Sequence, residues 1–86
     1  MKEDKEVLVE IKNEYQELTD KLTRLEAAMM EEEFFSFEFN MKRAFEAQRK
    51  AMIEYREALF ARIKALNRRL YGGPFEATEA NQGFLL

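Results

Sequence analysis

Polar side chains recur every seven residues in the second half of the chain. Gln48, Tyr55, Arg62 and Arg69 lie in a helical seam that is otherwise apolar. Amide, phenol and guanidinium groups lose hydrogen bonds to water when they are buried, so each needs a partner. A small anionic ligand could be that partner, because a guanidinium group suits bidentate contact with phosphate. The predicted ligand-binding residues are Gln48, Arg49, Met52, Tyr55, Arg62 and Arg69.

A structural explanation of the same residues stays open. Arg62 and Arg69 could extend into water and pair with acidic residues of the first half, while Tyr55 caps the core. We expect this explanation to hold for Arg69. For Tyr55 and Arg62, the sequence leaves the structural and the ligand-binding explanations about equally supported.

The composition argues against catalysis and against a metal centre. The chain contains no histidine and no cysteine. It therefore lacks the commonest general base and the commonest metal ligand, as well as any thiolate. The consecutive carboxylates Glu31, Glu32 and Glu33 point in different directions on a helix, so we interpret them as a solvated helix end. We predict that the protein is not an enzyme and has neither a cofactor nor a metal site.

Two long helices would position these residues. The first is predicted over about residues 4–32, and the second over about 41–71, where Gly72, Gly73 and Pro74 stop it. The predicted fold is all-α: an antiparallel, coiled-coil-like two-helix hairpin over residues 1–71, with a C-terminal arm over 72–86. The apolar stripe of the first helix comprises Leu8, Ile11, Tyr15, Leu18, Leu22, Leu25 and Met29. Phe45, Met52, Leu59 and Leu66 form the apolar part of the second seam.

A phenylalanine-rich turn is predicted over about residues 33–40. Phe34, Phe35, Phe37 and Phe39 are expected to plug the end of the hairpin or to dock on a neighbouring subunit. Ser36 or Asn40 is the expected N-cap of the second helix.

Self-association into a bundle is expected, because a lone hairpin of this size buries little apolar surface. Small side chains recur every seven residues beside the polar ones, and they would let another helix approach closely. The C-terminal arm adds apolar groups that suit the same purpose. The predicted oligomer interface consists of Ala44, Ala51, Ala58, Ala65, Phe84, Leu85 and Leu86.

Charge is divided unevenly along the chain. Residues 1–36 hold five Lys or Arg against eleven Asp or Glu, whereas residues 37–71 hold nine against four. This asymmetry favours pairing of the two helices, and part of the basic surface could also attract an anionic ligand. With a net charge of −3, the chain is not expected to bind double-stranded nucleic acid. The charged N-terminus and the absence of a long apolar run predict a cytoplasmic protein that does not engage membranes.

The spacing of particular residues resembles a known family. The overlap runs from about Val9 to Leu66, and it resembles short helical-hairpin proteins encoded by crAss-like and other tailed bacteriophages. The Phe-rich turn and the tail after Tyr71 depart from that pattern, so no role is carried over for them. The matching motifs are Tyr15-x-x-Leu18, Leu22-x-x-Leu25-Glu26 and Gln48-x-x-Ala51-Met52-x-x-Tyr55-x-x-x-Leu59-x-x-Arg62-Ile63.

This resemblance implies a function. The architecture is similar to that of small oligomeric phage proteins that bind nucleotide immune signals of the bacterial host. The leading hypothesis is an anti-defence protein that sequesters a cyclic oligonucleotide or a cyclic ADP-ribose type of signal without cleaving it. Tyr55 would stack on a base, Arg62 with Arg49 or Arg69 would bind phosphate, and Gln48 would contact a base edge or a ribose hydroxyl. The alternative is a helical protein-interaction module that inhibits or scaffolds a host or phage protein.

Overall fold

The computed structural model describes residues 2–72, which form three helices and no strand. Helix α1 spans Asp4–Met29, the short helix α2 spans Glu32–Ser36, and helix α3 spans Phe39–Tyr71. Helices α1 and α3 pack against each other. The prediction of an all-helical fold with long helices in contact is confirmed for this part of the chain. The predicted interface residues Phe84, Leu85 and Leu86 lie outside the described residues.

Helix α1 buries four of the seven residues in the stripe that its sequence pattern predicts. Its residues Leu8, Ile11, Leu18 and Leu22 are buried. Tyr15 packs against this core while remaining partly accessible. Asp4 and Glu6 lie in the first turn, where negative charge favours a helix because it opposes the positive end of the helix dipole.

The core of helix α3 is centred on Leu59 and Ile63, whose side chains are 1% and 0% exposed. Met52, Leu66 and Leu70 pack around them and are half-buried. The apolar seam predicted for the second helix included Leu59 but not Ile63. A strict seven-residue repeat drifts about 20° per heptad around a straight α-helix, so one seam cannot face the partner along all of α3.

Helices α1 and α3 run in opposite directions, as three contacts along their length show. Asp4 of α1 contacts Arg69 of α3, Tyr15 contacts Phe60, and Glu26 contacts Arg49. Each step toward the C-terminus of α1 is therefore matched by a nearly equal step toward the N-terminus of α3. This register allows residues of the two helices to be placed level with each other.

The chain is helical at residues 32–36, within the region where the sequence predicts a turn. The reason is the burial of Phe34, whose ring centroid lies 5.5 Å from that of Phe45 and 6.0 Å from that of Phe37. These three rings form a cluster at the α2 end of the molecule. Phe35 and Phe39, by contrast, are exposed.

The N-cap of α3 differs from the sequence-based expectation. Glu38 occupies the cap position, and its side chain makes no capping hydrogen bond. The Ser36 hydroxyl instead donates to the carbonyl oxygen of Glu33 within α2, at 2.7 Å. Ser36 is therefore not the N-cap of α3, because its hydroxyl is used locally, and Asn40 already lies inside that helix.

Helix α3 ends at Tyr71, immediately before Gly72. Gly72 adopts a φ of 70°, and its backbone N–H donates to the carbonyl oxygen of Arg68. Glycine adopts a positive φ without the steric cost that other residues meet. Between residues 2 and 72, no helix combines the length and the hydropathy that crossing a membrane requires.

Candidate functional site

The predicted ligand-binding residues lie along one flank of α3. We call Gln48, Tyr55, Arg62 and Arg69 the polar line. All four are exposed, and Tyr55 retains 47% of its accessible surface. The drift of the seven-residue repeat explains this position, because it carries the polar line from the edge of the core toward solvent. Because these side chains are not buried, they can hydrogen-bond to water and do not require a partner in the protein or in a ligand.

Two of the predicted arginines already bind carboxylates of α1. The Arg49 Nε atom donates to Glu26 Oε2 at 2.7 Å, and Arg69 Nη2 lies 3.1 Å from Asp4 Oδ2. For Arg69, this contact agrees with the structural explanation considered above. A phosphate would have to compete with a carboxylate at each of these two arginines.

Tyr55 and Arg62 remain available on the polar line. Within residues 2–72, neither side chain makes a hydrogen bond or an ion pair. Met52, which was predicted to join them, is half-buried against the core. A row of small, exposed side chains runs beside Tyr55 and Arg62; it consists of Ala44, Ala51, Ala58 and Ala65.

The opposite flank of α3 carries a groove, which we call the aromatic groove. It is open on one side and has a volume of about 370 Å³. This volume falls within the range of roughly 300–1,000 Å³ that is usual for small-molecule sites. Tyr15 comes from α1 and the other lining residues come from α3. The lining consists of Tyr15, Arg56, Glu57, Phe60, Ala61 and Lys64.

Two aromatic rings form the centre of the aromatic groove. The centroids of Tyr15 and Phe60 are 6.1 Å apart, and the ring planes are tilted by 44°. The Lys64 ammonium group lies over the Phe60 ring, 5.1 Å from its centroid. Such a cation–π contact is weak at an accessible site, and the four-carbon stem of lysine lets the ammonium group move.

Cationic groups lie on both sides of Phe60 along the helix axis. Arg56 precedes Phe60 by four residues and Lys64 follows it by four, so each is displaced by about 6 Å along α3. Neither cation forms an ion pair within residues 2–72. Among the described residues of the lining, Glu57 supplies one carboxylate against the two cations. The groove therefore combines two aromatic rings with a local excess of positive charge.

A hydroxyl without a partner lies close to the aromatic groove. The Thr19 Oγ1 atom is buried and has no hydrogen-bond partner among the described residues. Tyr15 contacts Phe60. Because α1 and α3 run in opposite directions, Thr19, four residues after Tyr15, lies level with Arg56, four residues before Phe60. Buried hydroxyl groups are normally hydrogen-bonded, because leaving one unpaired costs free energy.

Sequence reasoning did not identify the aromatic groove. Tyr15 was predicted to be a core residue, while Arg56, Phe60 and Lys64 were assigned no role. One signal was present, since the two cations and the ring follow each other at intervals of four residues, which places them on one helix face. The contact with Tyr15 could not be predicted without the register between α1 and α3.

In the part of the chain that the structure describes, no group of three or more acidic residues is gathered in a way that could hold a metal ion. Glu31, Glu32 and Glu33 are exposed at the start of α2.

A family model described as Sequestin matches residues 5–65, which is most of the chain. This chain belongs to the Sequestin family. The match covers nearly all of α1, all of α2 and most of α3, and it includes every residue that lines the aromatic groove. Tyr55 and Arg62 of the polar line also lie within it, whereas Arg69 lies beyond it. No curated protein and no solved structure matches this chain.

The name of the Sequestin family denotes the sequestration of a molecule. That meaning agrees in general terms with the binding function predicted from the sequence.

Proposed function

We propose that this member of the Sequestin family is a phage-encoded anti-defence protein that sequesters a small nucleotide immune signal. The signal would be of the cyclic oligonucleotide or cyclic ADP-ribose type, and it would be held intact in the cytoplasm of the infected bacterium. Membership in the Sequestin family is the observation that carries this proposal. The aromatic and cationic side chains that are exposed on the polar line and half-buried in the aromatic groove support the choice of a nucleotide as ligand.

On the polar line, Tyr55 would stack on a base and Arg62 would bind a phosphate group. Gln48 would contact a base edge or a ribose hydroxyl. Arg49 and Arg69 contribute less in this scheme, because their ion pairs with Glu26 and Asp4 would have to be exchanged for contacts to the ligand. This ranking of the arginines follows from their contacts; the sequence had already favoured a structural role for Arg69, but not for Arg49.

Binding without cleavage fits the chemistry that the chain can offer. Without histidine or cysteine, hydrolysis of a phosphodiester would depend on carboxylates, lysines and tyrosines alone. Sequestration needs only complementary contacts and an amount of protein that matches the amount of signal. The bound signal should therefore be recoverable unchanged.

Self-association is part of the proposal. The helical hairpin would assemble into a bundle through the exposed alanine row formed by Ala44, Ala51, Ala58 and Ala65. Because this row flanks Tyr55 and Arg62, a neighbouring helix would close a crevice over them. Crevices between helices of a bundle are common positions for small-molecule sites.

Titration calorimetry with cyclic dinucleotides, cyclic trinucleotides and cyclic ADP-ribose variants tests the polar line. We expect the double variant Tyr55→Leu with Arg62→Gln to bind the active ligand at least tenfold more weakly than the unmodified protein. Both side chains are exposed, so circular dichroism should show unchanged helicity. Arg68→Gln is the matched control, because Arg68 is also an exposed arginine of α3.

Equal affinity of the double variant and the unmodified protein would remove the polar line from the binding site. A loss of helicity or of assembly would instead show that these residues are structural.

A second candidate function is a protein-interaction module, and exposed apolar groups at the α2 end favour it. Met30, Phe35 and Phe39 retain 81%, 64% and 70% of their accessible surface. If the protein acts by binding another protein, its anti-defence activity in infected cells should depend on Phe35 and Phe39. Under sequestration, the effect should depend on nucleotide-binding side chains and should survive Phe35→Ser with Phe39→Ser.

A further inference from the structure

We infer that the aromatic groove is a binding site in its own right, for a planar heteroaromatic ring that carries a phosphate group. Nothing in the family match assigns a role to this surface. The inference takes its ligand chemistry from the proposed function, but it places that ligand on the flank of α3 opposite to the polar line.

The two rings of the aromatic groove offer a surface on which a base can stack. Phe60 is half-buried, so its ring is held in position by packing, and Tyr15 of α1 contacts it at 6.1 Å. A ring that is already ordered loses little conformational entropy when a base stacks on it. Stacking of a base on an aromatic side chain does not depend strongly on the identity of the base.

The two cations of the aromatic groove can bind the phosphate group of the ligand. Arg56 is half-buried and forms no ion pair within residues 2–72, whereas Arg49 and Arg69 each contact a carboxylate. Lys64 is held over Phe60 by a cation–π contact alone among the described interactions. A phosphate group is a better partner for an ammonium group than a phenyl ring is. Lys64 should therefore move from the ring of Phe60 to the phosphate group.

Glu57 indicates that the ligand is a nucleotide and not a bare anion. A carboxylate in the lining opposes inorganic phosphate, because like charges repel. The same carboxylate can accept hydrogen bonds from the amino group of a base. The aromatic groove thus has one kind of partner for each part of a nucleotide: rings for the base, cations for the phosphate and an acceptor for the amino group.

Nuclear magnetic resonance of the full-length ¹⁵N-labelled protein tests the site directly. Titration with adenosine 5′-monophosphate should shift the backbone amide signals of Tyr15, Arg56, Phe60 and Lys64 more than those of the polar line. Sodium phosphate at the same ionic strength should leave most of these signals in place. Shifts that concentrate around Tyr55 and Arg62, or no shifts at all, would overturn the inference.

Variants then assign the affinity to side chains. Phe60→Leu keeps an apolar group but removes the ring, and Lys64→Gln keeps the length while removing the charge. We expect each change to weaken binding of adenosine 5′-monophosphate severalfold, and the pair to weaken it about tenfold or more. Lys50→Gln is the matched control, because Lys50 is an exposed lysine of α3 outside the groove. Unchanged affinity of a folded Lys64→Gln variant would overturn the inference even if Phe60→Leu failed to fold.

The outcome separates this inference from the proposed function. If cyclic signals bind, only the polar-line variants lose them, and adenosine 5′-monophosphate does not shift the signals of the groove, then sequestration stands and the groove is not a site. If adenosine 5′-monophosphate occupies the groove but no cyclic signal binds the protein, the groove is a site and the proposed function fails.

Discussion

At the scale of single residues, the arginines of α3 differ in what they already contact. Arg49 and Arg69 form ion pairs with α1, and such accessible pairs contribute about 1 kcal/mol or less to stability. Arg56 and Arg62 form none within residues 2–72. A phosphate group would gain most at Arg56 and Arg62, because there it would not compete with a carboxylate of the described residues. From the sequence, a structural role was expected for Arg69 alone of these four arginines, and Arg56 was assigned no role.

Thr19 offers a test of the packing next to the aromatic groove. Its buried hydroxyl has no partner among the described residues, so replacing it with a methyl group of similar size removes an unpaired polar atom. We expect Thr19→Val to raise the free energy of unfolding in urea by about 1 kcal/mol.

Thr23→Val is the control for this prediction. The Thr23 hydroxyl is exposed and donates to the carbonyl oxygen of Thr19 at 3.0 Å. That change should alter the free energy of unfolding by no more than about 0.5 kcal/mol. A clear loss of stability in Thr19→Val would show that the hydroxyl is hydrogen-bonded, for example to water.

The candidate site residues were only partly predictable from the sequence. Tyr55 and Arg62 were singled out by their spacing, and the structure leaves both exposed and without partners among residues 2–72. Phe60 and Lys64 were missed, because their proximity to Tyr15 depends on how two distant segments pair. Such contacts are tertiary, and a pattern within one helix does not contain them.

At the scale of elements, the two long helices were predictable because each has a continuous apolar stripe and no helix breaker in its interior. Helix α2 was not predictable from the stripe, since it is only five residues long. Short helices gain little from their own hydrogen bonds, so packing decides whether they form. Here the burial of Phe34 against Phe37 and Phe45 provides that packing.

The centre of the α1–α3 contact is predicted to carry much of the stability. Ile63 is fully buried, so Ile63→Ala removes apolar contacts and leaves a cavity. We expect the free energy of unfolding to fall by about 2–5 kcal/mol, measured by urea denaturation.

Val9→Ala provides the comparison on α1. Val9 is 57% exposed, and its truncation should cost no more than about 0.5 kcal/mol. If the two variants lost similar amounts of stability, the core would not be centred where the register of α1 and α3 places it.

At the scale of the whole molecule, the part of the chain that the structure describes is elongated. The Cα radius of gyration is 16.6 Å, compared with about 12 Å for a compact domain of this length. An elongated pair of helices buries a small fraction of its apolar surface, and this supports the proposal that copies associate. Association on the alanine flank would leave the aromatic groove on the other side of α3, so one chain can both assemble and present a site.

The number of copies in an assembly was not predictable from the sequence. Aromatic, polar and aliphatic residues alternate along the seam of α3, and such mixed seams do not specify one oligomeric state. The location of the site relative to the assembly depends on that number as well. Both questions are answered by a method that detects the intact assembly together with its ligand.

The most direct test of the central claim is a native mass spectrum of the full-length protein mixed with cyclic dinucleotides, cyclic trinucleotides and cyclic ADP-ribose variants. We expect a defined oligomer that carries a fixed number of nucleotides, whose mass after release is that of the intact signal. An oligomer without any nucleotide bound, or release of a cleaved product, would contradict sequestration.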